Sequence, residues 1–392
     1  MAQLVEAEKS SVLRLGIIGT GLWAKSDHLP ALKELGHLFA ITAVCNRSLD
    51  KAEAYVQAAG LERDGVFVCS DWREVLARPD VDAVIVALPV YLNLEVATAA
   101  AAAGKHALLE KPTAHDLADA SALVRLSHER RDEMAIMIGE NYPYKNSLRT
   151  MARLVMEGAV GSVVTFSLHF WRMFAPDNNP YLYTSWRQNP KHIGGILSDS
   201  GVHWVCVVTT VLGPVRSVAA YTRQIQPKNG PADSIVMAME LESGAVGSWA
   251  MSHATSRSDA LFQVVGTDGM LVLDNLSRLS YHKPNGEVEV TVFEGAKPGK
   301  AKQDLVDEFT DFHRCVARTV AARKQDSVSV EKTKGADGND ELGDFTVLPG
   351  APLVRVEDTF HHLAIIEAAT ASTASKQHEP VKTWQQLAES LN

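Results

Sequence analysis

The sequence predicts an α/β plus α+β protein: a doubly wound parallel sheet followed by a second unit on an open-faced, mostly antiparallel sheet. Three observations carry this. Strand and helix patterns alternate over residues 12–140. A glycine-rich turn closes the first strand pattern. After about Tyr144 the pattern changes to long strand-like runs separated by Gly- or Asn-rich turns.

Each element has its own reason. Val12–Gly19 is an apolar run ending in glycine, as a parallel strand buried on both faces would be. A helix is expected over His28–Leu35, a strand over Phe39–Asn46, a helix over Leu49–Ala59, a short strand over Val66–Cys69 and a helix over Trp72–Ala77. Val81–Leu88 reads as a fully apolar strand, Leu92–Ala103 as an Ala-rich helix and His106–Glu110 as a fifth strand. Helix Asp116–Glu129 and strand Ala135–Gly139 complete the unit, with right-handed crossovers between parallel strands. Beyond it come a helix over Ser147–Glu157 and strands over Ser162–Arg172, Ser217–Gln224, Ser234–Glu242, Ala245–His253, Leu261–Gly266 and Met270–Asp274. One face of that sheet should lie on helices and the other stay partly open. Residues 1–11 read as a short mobile tail, 12–144 as a first domain and 145–392 as a second. Within the latter, the polar, Gly/Asp-rich stretch 328–352 reads as a surface loop, and a helix over 356–372 as packing back on the body.

Composition narrows the class. The chain has 392 residues, enough for two domains, with 46% hydrophobic and 22% charged residues, as in ordinary globular proteins. The net charge of −9 argues against nucleic acid as a partner, because phosphate backbones call for a basic face. No apolar run reaches the roughly 18 residues of a membrane span. Cys45, Cys69, Cys206 and Cys315 have no metal-site spacing and read as reduced, buried thiols. The acidic N-terminus lacks a signal-peptide pattern. A cytoplasmic location is the expectation.

Gly16, Gly19, Thr20, Gly21, Leu22, Trp23 and Ala24 end the first strand and open the first helix. Counted from Gly19 the spacing is GxGxxA. Glycines there permit the tight turn and let a pyrophosphate approach the helix N-terminus, whose N–H groups favour an anion. A strand-to-helix turn that merely needs glycine is the plain alternative. The second strand runs into Asn46, Arg47 and Ser48. An acid at this place would hold the ribose hydroxyls of NAD, whereas an arginine suits the 2′-phosphate of NADP. Asn46 beside Arg47 therefore favours NADP(H). NAD(H) stays open, with Arg47 then only a surface residue at the strand end.

Two further segments resemble a known family. Gly104-Lys105-His106-Ala-Leu-Leu-Glu110-Lys111-Pro112 resembles the AGKHVLxEKP signature of the glucose–fructose oxidoreductase/inositol dehydrogenase (Gfo/Idh/MocA) family. Gly194-Gly195-Ile-Leu-Ser-Asp199-Ser-Gly201-Val-His203 resembles its GGGxxxDxGxH segment, and Trp186-Arg187 fits the pattern just upstream. The resemblance runs in order from about Leu13 to Val381. It implies a dinucleotide-binding Rossmann domain over 12–144, then over 145–392 a substrate-binding and oligomerisation domain whose open-faced sheet commonly mediates dimers or tetramers. It also implies oxidation or reduction at a carbon bearing a hydroxyl or carbonyl, often on a sugar, inositol or dihydrodiol. The cofactor-binding set comprises the glycine loop, Asn46, Arg47, Ser48, Leu88, Pro89, Asn93, Glu110, Lys111, Trp186 and Arg187.

The catalytic candidates are Lys111, Asp199 and His203. A lysine held stiffly before Pro112 can hydrogen-bond the reacting oxygen and stabilise developing negative charge. A histidine, with an ordinary pKa near ~6.5, can carry the hydroxyl proton. Asp199 lies four residues before His203, so on one helix the two would share a face, and Asp199 could orient the imidazole, bind a substrate hydroxyl, or both. Each has a bland reading: a solvated lysine, or an Asp–His pair decorating a helix. Whether Lys111 or His203 is the principal acid/base stays open.

Three departures from the family bear on the pocket. Cys206 stands where an acid often follows the histidine by three residues. Leu88-Pro89-Val90-Tyr91-Leu92-Asn93 replaces TPNxxH. Asn141-Tyr142-Pro143-Tyr144 lacks the arginine often found after the sixth strand. Trp171, Phe174, Tyr181, Tyr183 and Trp186, interrupted by Pro176 and Pro180, could form a sugar-stacking wall or an ordinary packed loop. His169, His192 and His253 show no ligand spacing, and no metal is expected. The leading function is an NAD(P)-dependent dehydrogenase or reductase acting on a polyol, sugar or diol. A glycosidase that retains its dinucleotide and oxidises transiently is the second reading, and a dinucleotide-sensing regulator the third. The joint presence of Lys111, Asp199 and His203 counts against the regulator.

Overall fold

The computed structural model describes residues 12–173, 181, 184, 187, 189–295, 300–326 and 353–390. The 1–11 tail, the 328–352 loop, Trp186 and, from the aromatic run, Phe174 and Tyr183 lie outside the described residues.

Six short apolar segments form the first sheet: β1 (Leu13–Ile18), β2 (Phe39–Cys45), β3 (Phe67–Cys69), β4 (Ala83–Val86), β5 (His106–Glu110) and β6 (Ile136–Gly139). Their order is β3-β2-β1-β4-β5-β6 with every pairing parallel. The order reverses direction beside β1, the switch point at which such sheets bind ligands beyond the strands' carboxyl ends. Crossovers are α1 (Leu29–Glu34), α2 (Leu49–Ala59), α3 (Trp72–Leu76), α4 (Asn93–Ala102) and α5 (Leu117–Glu129). Side chains alternate along the strands. Leu15, Ile17, Ile85 and Leu108 pack with Leu29, Leu32, Tyr55 and Val56 on one face. Ile18, Val84, Val86 and Leu109 pack with Val96 and Leu123 on the other.

After α6 (Asn146–Met156) the chain builds a nine-stranded sheet. Its strands are β7 (Val163–Met173), β8 (Val215–Arg223), β9 (Ser234–Leu241), β10 (Val246–Ser252), β11 (Ala254–Gly266), β12 (Met270–Asp274), β13 (Arg278–His282), β14 (Val288–Val292) and β15 (Glu379–Pro380). The order is β14-β13-β12-β11-β7-β10-β9-β8-β15, antiparallel except where β10 runs parallel to β7. Ile235, Met237, Met239 and Leu241 of β9 point into the core, whereas Val236 between them is exposed. Val164, Tyr221 and Val246 are exposed as well, so one face is apolar yet open. The covered face lies on α8 (Gly201–Leu212) and α10 (Val356–Ser375), which carry their own core residues Val205, Val208, Phe360 and Leu363. The short α7 (Ile196–Asp199) precedes α8, and α11 (Trp384–Ser390) follows α10. Among the described residues no helix is long and apolar enough to cross a membrane.

Several boundaries differ from the sequence reading. The first helix begins before His28, with a π turn over Ala24–His28 that runs straight into α1. The widened turn carries His28 into the interior, where it is 1% exposed. β11 is longer than expected, and β13, β14, α8 and α9 (Gln303–Asp326) come from stretches to which no element had been assigned. α9 returns to the first sheet: Leu305, Phe309, Phe312 and Val316 join the core of Leu29 and Leu32. Burying each of its two phenylalanines contributes roughly 2–3 kcal/mol before the entropy cost of ordering them. That helix therefore ties the carboxyl-terminal half of the chain to the dinucleotide-type unit.

Candidate active site

The glycine turn is shaped by sterics. Gly19 has φ 95°, and a Cβ there would lie 2.4 Å from the Ala87 carbonyl oxygen. Its N–H donates to Cys45 O at 2.9 Å, pinning the end of β1 to β2. At Gly21 a Cβ would meet nothing within 4 Å, so this side of the turn is open. Gly16 lies inside β1 facing Val75 Cγ1, 2.4 Å from where a Cβ would stand, so it serves close packing. Asn46 Nδ2 donates to Thr20 Oγ1 at 2.9 Å, Thr20 Oγ1 donates to Lys51 O at 3.2 Å, and Asn46 Oδ1 accepts from Ser48 N at 3.0 Å. Asn46 thus stitches the two turns together, leaving Arg47 and Ser48 exposed beside them. Leu88 and Pro89 follow β4 next to this turn, with Leu88 Cδ2 3.1 Å from the position of a Gly19 Cβ. An open turn at a helix start, with an exposed arginine at the end of β2, fits a dinucleotide phosphate chain.

Leu22 is exposed, but Trp23 turns inward and its Nε1 donates to Glu110 Oε1 at 2.8 Å. His28 Nε2 lies 2.6 Å from the same oxygen. The first helix therefore grips the end of β5 through Glu110. Asn93, with no exposed surface, donates its amide protons to the carbonyls of Glu110, Pro112 and Thr113 at 2.9, 3.0 and 3.2 Å. The Lys111–Pro112 peptide between them is cis. Asn93 thus acts through Nδ2 on the backbone that carries Lys111.

Lys111 Nζ donates to Asp199 O at 2.6 Å and lies 3.5 Å from Asp199 Oδ1. Arg187 Nε donates to Asp199 Oδ2 at 2.7 Å. Burial pushes the Asp199 carboxyl up, but Lys111 and Arg187 outweigh it and hold the group well below the usual carboxylate range. Asp199 is consequently an anion clamped between two cations.

His203 is organised differently from the sequence expectation. α7 ends at Asp199, Ser200 breaks the run, and α8 starts at Gly201, so Asp199 and His203 do not share one helix. The imidazole's partner is Glu140, directly after β6, with His203 Nδ1 2.6 Å from Glu140 Oε1. The Tyr142 N–H donates to the same oxygen at 3.1 Å, and the Tyr142 ring stacks on the imidazole at 4.4 Å and 13°. Burial works to raise the Glu140 carboxyl, yet the hydrogen-bonded His203, with His362 and Lys111 farther off, leaves it below its ordinary value. An ionised carboxylate only accepts, so Nδ1 carries the proton and Nε2 is the basic nitrogen. Orientation of the imidazole by Asp199 is thereby corrected: Asp199 is committed to Lys111 and Arg187. Glu140 escaped the sequence reading, although an acid immediately after the buried run Ile136–Gly139 was a usable signal. Cys206, where the family often has an acid, is fully buried on α8.

The remaining histidines are dispersed. His192 Nε2 lies 3.0 Å from Gly195 O, and burial lowers its pKa. His253 is pushed down to about 3, chiefly by burial. His169 sits on the open sheet face, stacked on Trp171 and 3.3 Å from Asp259.

Comparison with known proteins places the chain in a family. Residues 13–137 match an oxidoreductase family with an NAD-binding Rossmann fold, and residues 148–272 match the GFO/IDH/MocA C-terminal domain. An uncharacterized protein of Saccharomyces cerevisiae is 30% identical over 377 residues, 93% of this chain and 97% of that one. The 1,5-anhydro-D-fructose reductase of Ensifer adhaerens is 29% identical over 287 residues, 72% of this chain and 81% of that one. The crystal structure of an oxidoreductase from Thermotoga maritima superposes with a TM-score of 0.78 at 29% identity, covering 95% of this chain and 99% of that one. Rossmann unit, open sheet and the lysine and histidine motifs converge: the chain is an oxidoreductase that uses a nicotinamide cofactor and belongs to the GFO/IDH/MocA family.

Proposed function

We propose that the chain is an NADP(H)-preferring dehydrogenase or reductase that interconverts a hydroxyl and a carbonyl on a sugar, polyol or diol. The carrying observation is the pair of preorganised sets at the ends of neighbouring strands: Lys111 with Asp199 after β5, and Glu140 with His203 after β6. The bound nicotinamide would accept or give the hydride. Lys111 donates a hydrogen bond to the substrate oxygen and stabilises its negative charge as the O–H proton leaves. His203 takes that proton on Nε2 in oxidation and returns it in reduction, while Glu140 stabilises the imidazolium. Asp199 and Arg187 keep the Lys111 ammonium in place and available to share.

Arg47, exposed at the end of β2 with no acid at Asn46 or Ser48, supports the NADP(H) preference. The Ensifer adhaerens relative, a reductase of an anhydrosugar by name, supports the substrate class. The apolar open face with Val164, Tyr221, Val236 and Val246 suits a homodimer or homotetramer, and a cytoplasmic location accords with four free cysteines. The test is reduced-nicotinamide absorbance during a screen of sugars, polyols and diols with NAD+ and NADP+, and of the matching carbonyls with the reduced cofactors. Turnover with one such compound and a lower KM for NADP(H) is expected. No turnover despite tight cofactor binding would overturn the reading.

A further inference from the structure

Behind His203 the structure brings together three side chains that the proton chemistry does not use jointly. Glu140 follows β6, Cys206 lies on α8 and His362 lies on α10. Their relative exposures are 1%, 0% and 4%. One ligand atom from each, a carboxylate oxygen, the thiol sulfur and a ring nitrogen, lies within 4.8 Å of both others. Around a tetrahedral zinc, bonds of ~2.0–2.3 Å set neighbouring ligand atoms about 3.3–3.8 Å apart. The present spacing therefore needs a closure of at most roughly 1.5 Å, within the reach of side-chain rotation.

The unused valences agree. Both bonds of the Glu140 carboxylate, to His203 Nδ1 and to the Tyr142 N–H, fall on Oε1, which leaves Oε2 for another partner. Cys206 Sγ has only a long contact, 3.5 Å to Thr210 Oγ1. His362 Nε2 is 2.8 Å from Thr209 Oγ1, whereas its Nδ1 is buried without a hydrogen-bond partner. Thr209 Oγ1 donates to Cys206 O at 3.3 Å and so accepts from Nε2, and a partner that fixes one ring N–H and leaves the other nitrogen free is what orients metal-binding histidines. Charge agrees as well. One carboxylate and one thiolate neutralise a divalent cation, so the filled site carries no net charge into the interior. A thiol and an imidazole beside a single carboxylate select zinc-like ions over magnesium or calcium, which prefer oxygen ligands.

We propose that Glu140, Cys206 and His362 form a binding site for a soft divalent cation of the zinc class, directly behind the catalytic imidazole and sharing its carboxylate. On binding, the S–metal bond replaces the S–H bond and the thiol proton passes to solvent. The cation and His203 then draw on the same Glu140 side chain from opposite sides. The three ligands are separated in sequence by 66 and 156 residues (206 − 140 and 362 − 206), so no spacing motif reveals them.

The experiment is a Co2+ titration of the full chain after chelator treatment, read by absorbance. A thiolate-to-cobalt charge-transfer band saturating at one equivalent, with tetrahedral visible bands, is expected, and Zn2+ should bleach both. Cys206→Ser should abolish the charge-transfer band with an unchanged circular dichroism spectrum. His362→Gln should weaken Co2+ binding at least tenfold. If the wild-type chain shows no thiolate band, or if the band persists undiminished in Cys206→Ser, the proposal is overturned. Should Cys206→Ser not fold, undiminished Co2+ binding in His362→Gln overturns it equally. Because it reads ligation and no turnover, the test succeeds or fails independently of the enzymatic reading.

Discussion

Replacing Glu140 by Gln removes one negative charge at 2.6 Å from His203 Nδ1 and keeps the side chain's length and volume. A glutamine oxygen can still accept from the Tyr142 N–H, so the loop after β6 should hold its shape. What is lost is charge assistance in a hydrogen bond almost wholly shielded from solvent, Glu140 being 1% exposed. Hydrogen bonds to charged groups contribute about 1.5–3 kcal/mol against about 0.5–1.5 for neutral ones, so losing the charge costs about 1–1.5 kcal/mol. At 1.4 kcal/mol per tenfold, that predicts a fall in kcat of roughly 5- to 12-fold. The loss should appear in kcat more than in KM, because the imidazolium that Glu140 stabilises forms during proton transfer and not on binding. The assay is steady-state nicotinamide turnover on chelator-treated protein, with the cofactor Kd measured in parallel by fluorescence. A kcat within about threefold of wild type, or a defect confined to KM, would refute the argument that Glu140 serves the proton-carrying state of His203.

Other predictions follow from the same geometry. Asn93→Ala removes the amide whose two protons are shared among the carbonyls of Glu110, Pro112 and Thr113, so thermal unfolding should show a loss of about 1–3 kcal/mol, with turnover falling while the cofactor Kd stays within about twofold. Arg47→Ala should weaken NADP(H) binding about 10- to 100-fold and leave NAD(H) nearly unchanged; equal losses for both would remove Arg47 from phosphate recognition. Asp199 has a folded-state pKa below its unfolded value of about 3.9, so its stabilisation is complete above that pH and is lost as pH falls through the folded value. Asp199→Asn should therefore lower Tm at neutral pH, and its gap to wild type should narrow below about pH 4; a gap independent of pH would contradict the ion-pair account.

Much of the first unit was legible because its physics is local. Helix Leu49–Ala59 and strand His106–Glu110 matched their expected bounds, one by amphipathic periodicity, the other as a short β run between turn residues. The glycine turn was legible because a steric requirement leaves a residue-type signature. α8 was not, because Val205, Val207, Val208 and Val211 are all buried and a helix apolar all round shows no stripe. α9 hides its stripe differently, placing Asp304, Glu308 and Asp311 on the buried side, where Asp304 meets Asn141 and Asp311 meets Tyr144. Lys111, Asp199 and His203 were visible through motifs, but their wiring was not. Ser200 breaks the helix that the i, i+4 spacing had assumed, and the carboxylate serving His203 comes from 63 residues away. Contacts across that distance leave no periodicity to read.

The central claim is that Lys111, held by Asp199, stabilises the reacting oxygen during hydride transfer. The most direct measurement is single-turnover hydride transfer in wild type and Lys111→Ala, each saturated with cofactor, using the best compound from the screen. The account predicts retained cofactor affinity and a transfer rate lowered at least about 100-fold, as for the loss of one preorganised donor to an oxyanion. Full-rate transfer in Lys111→Ala would contradict it and move the chemistry to His203 alone.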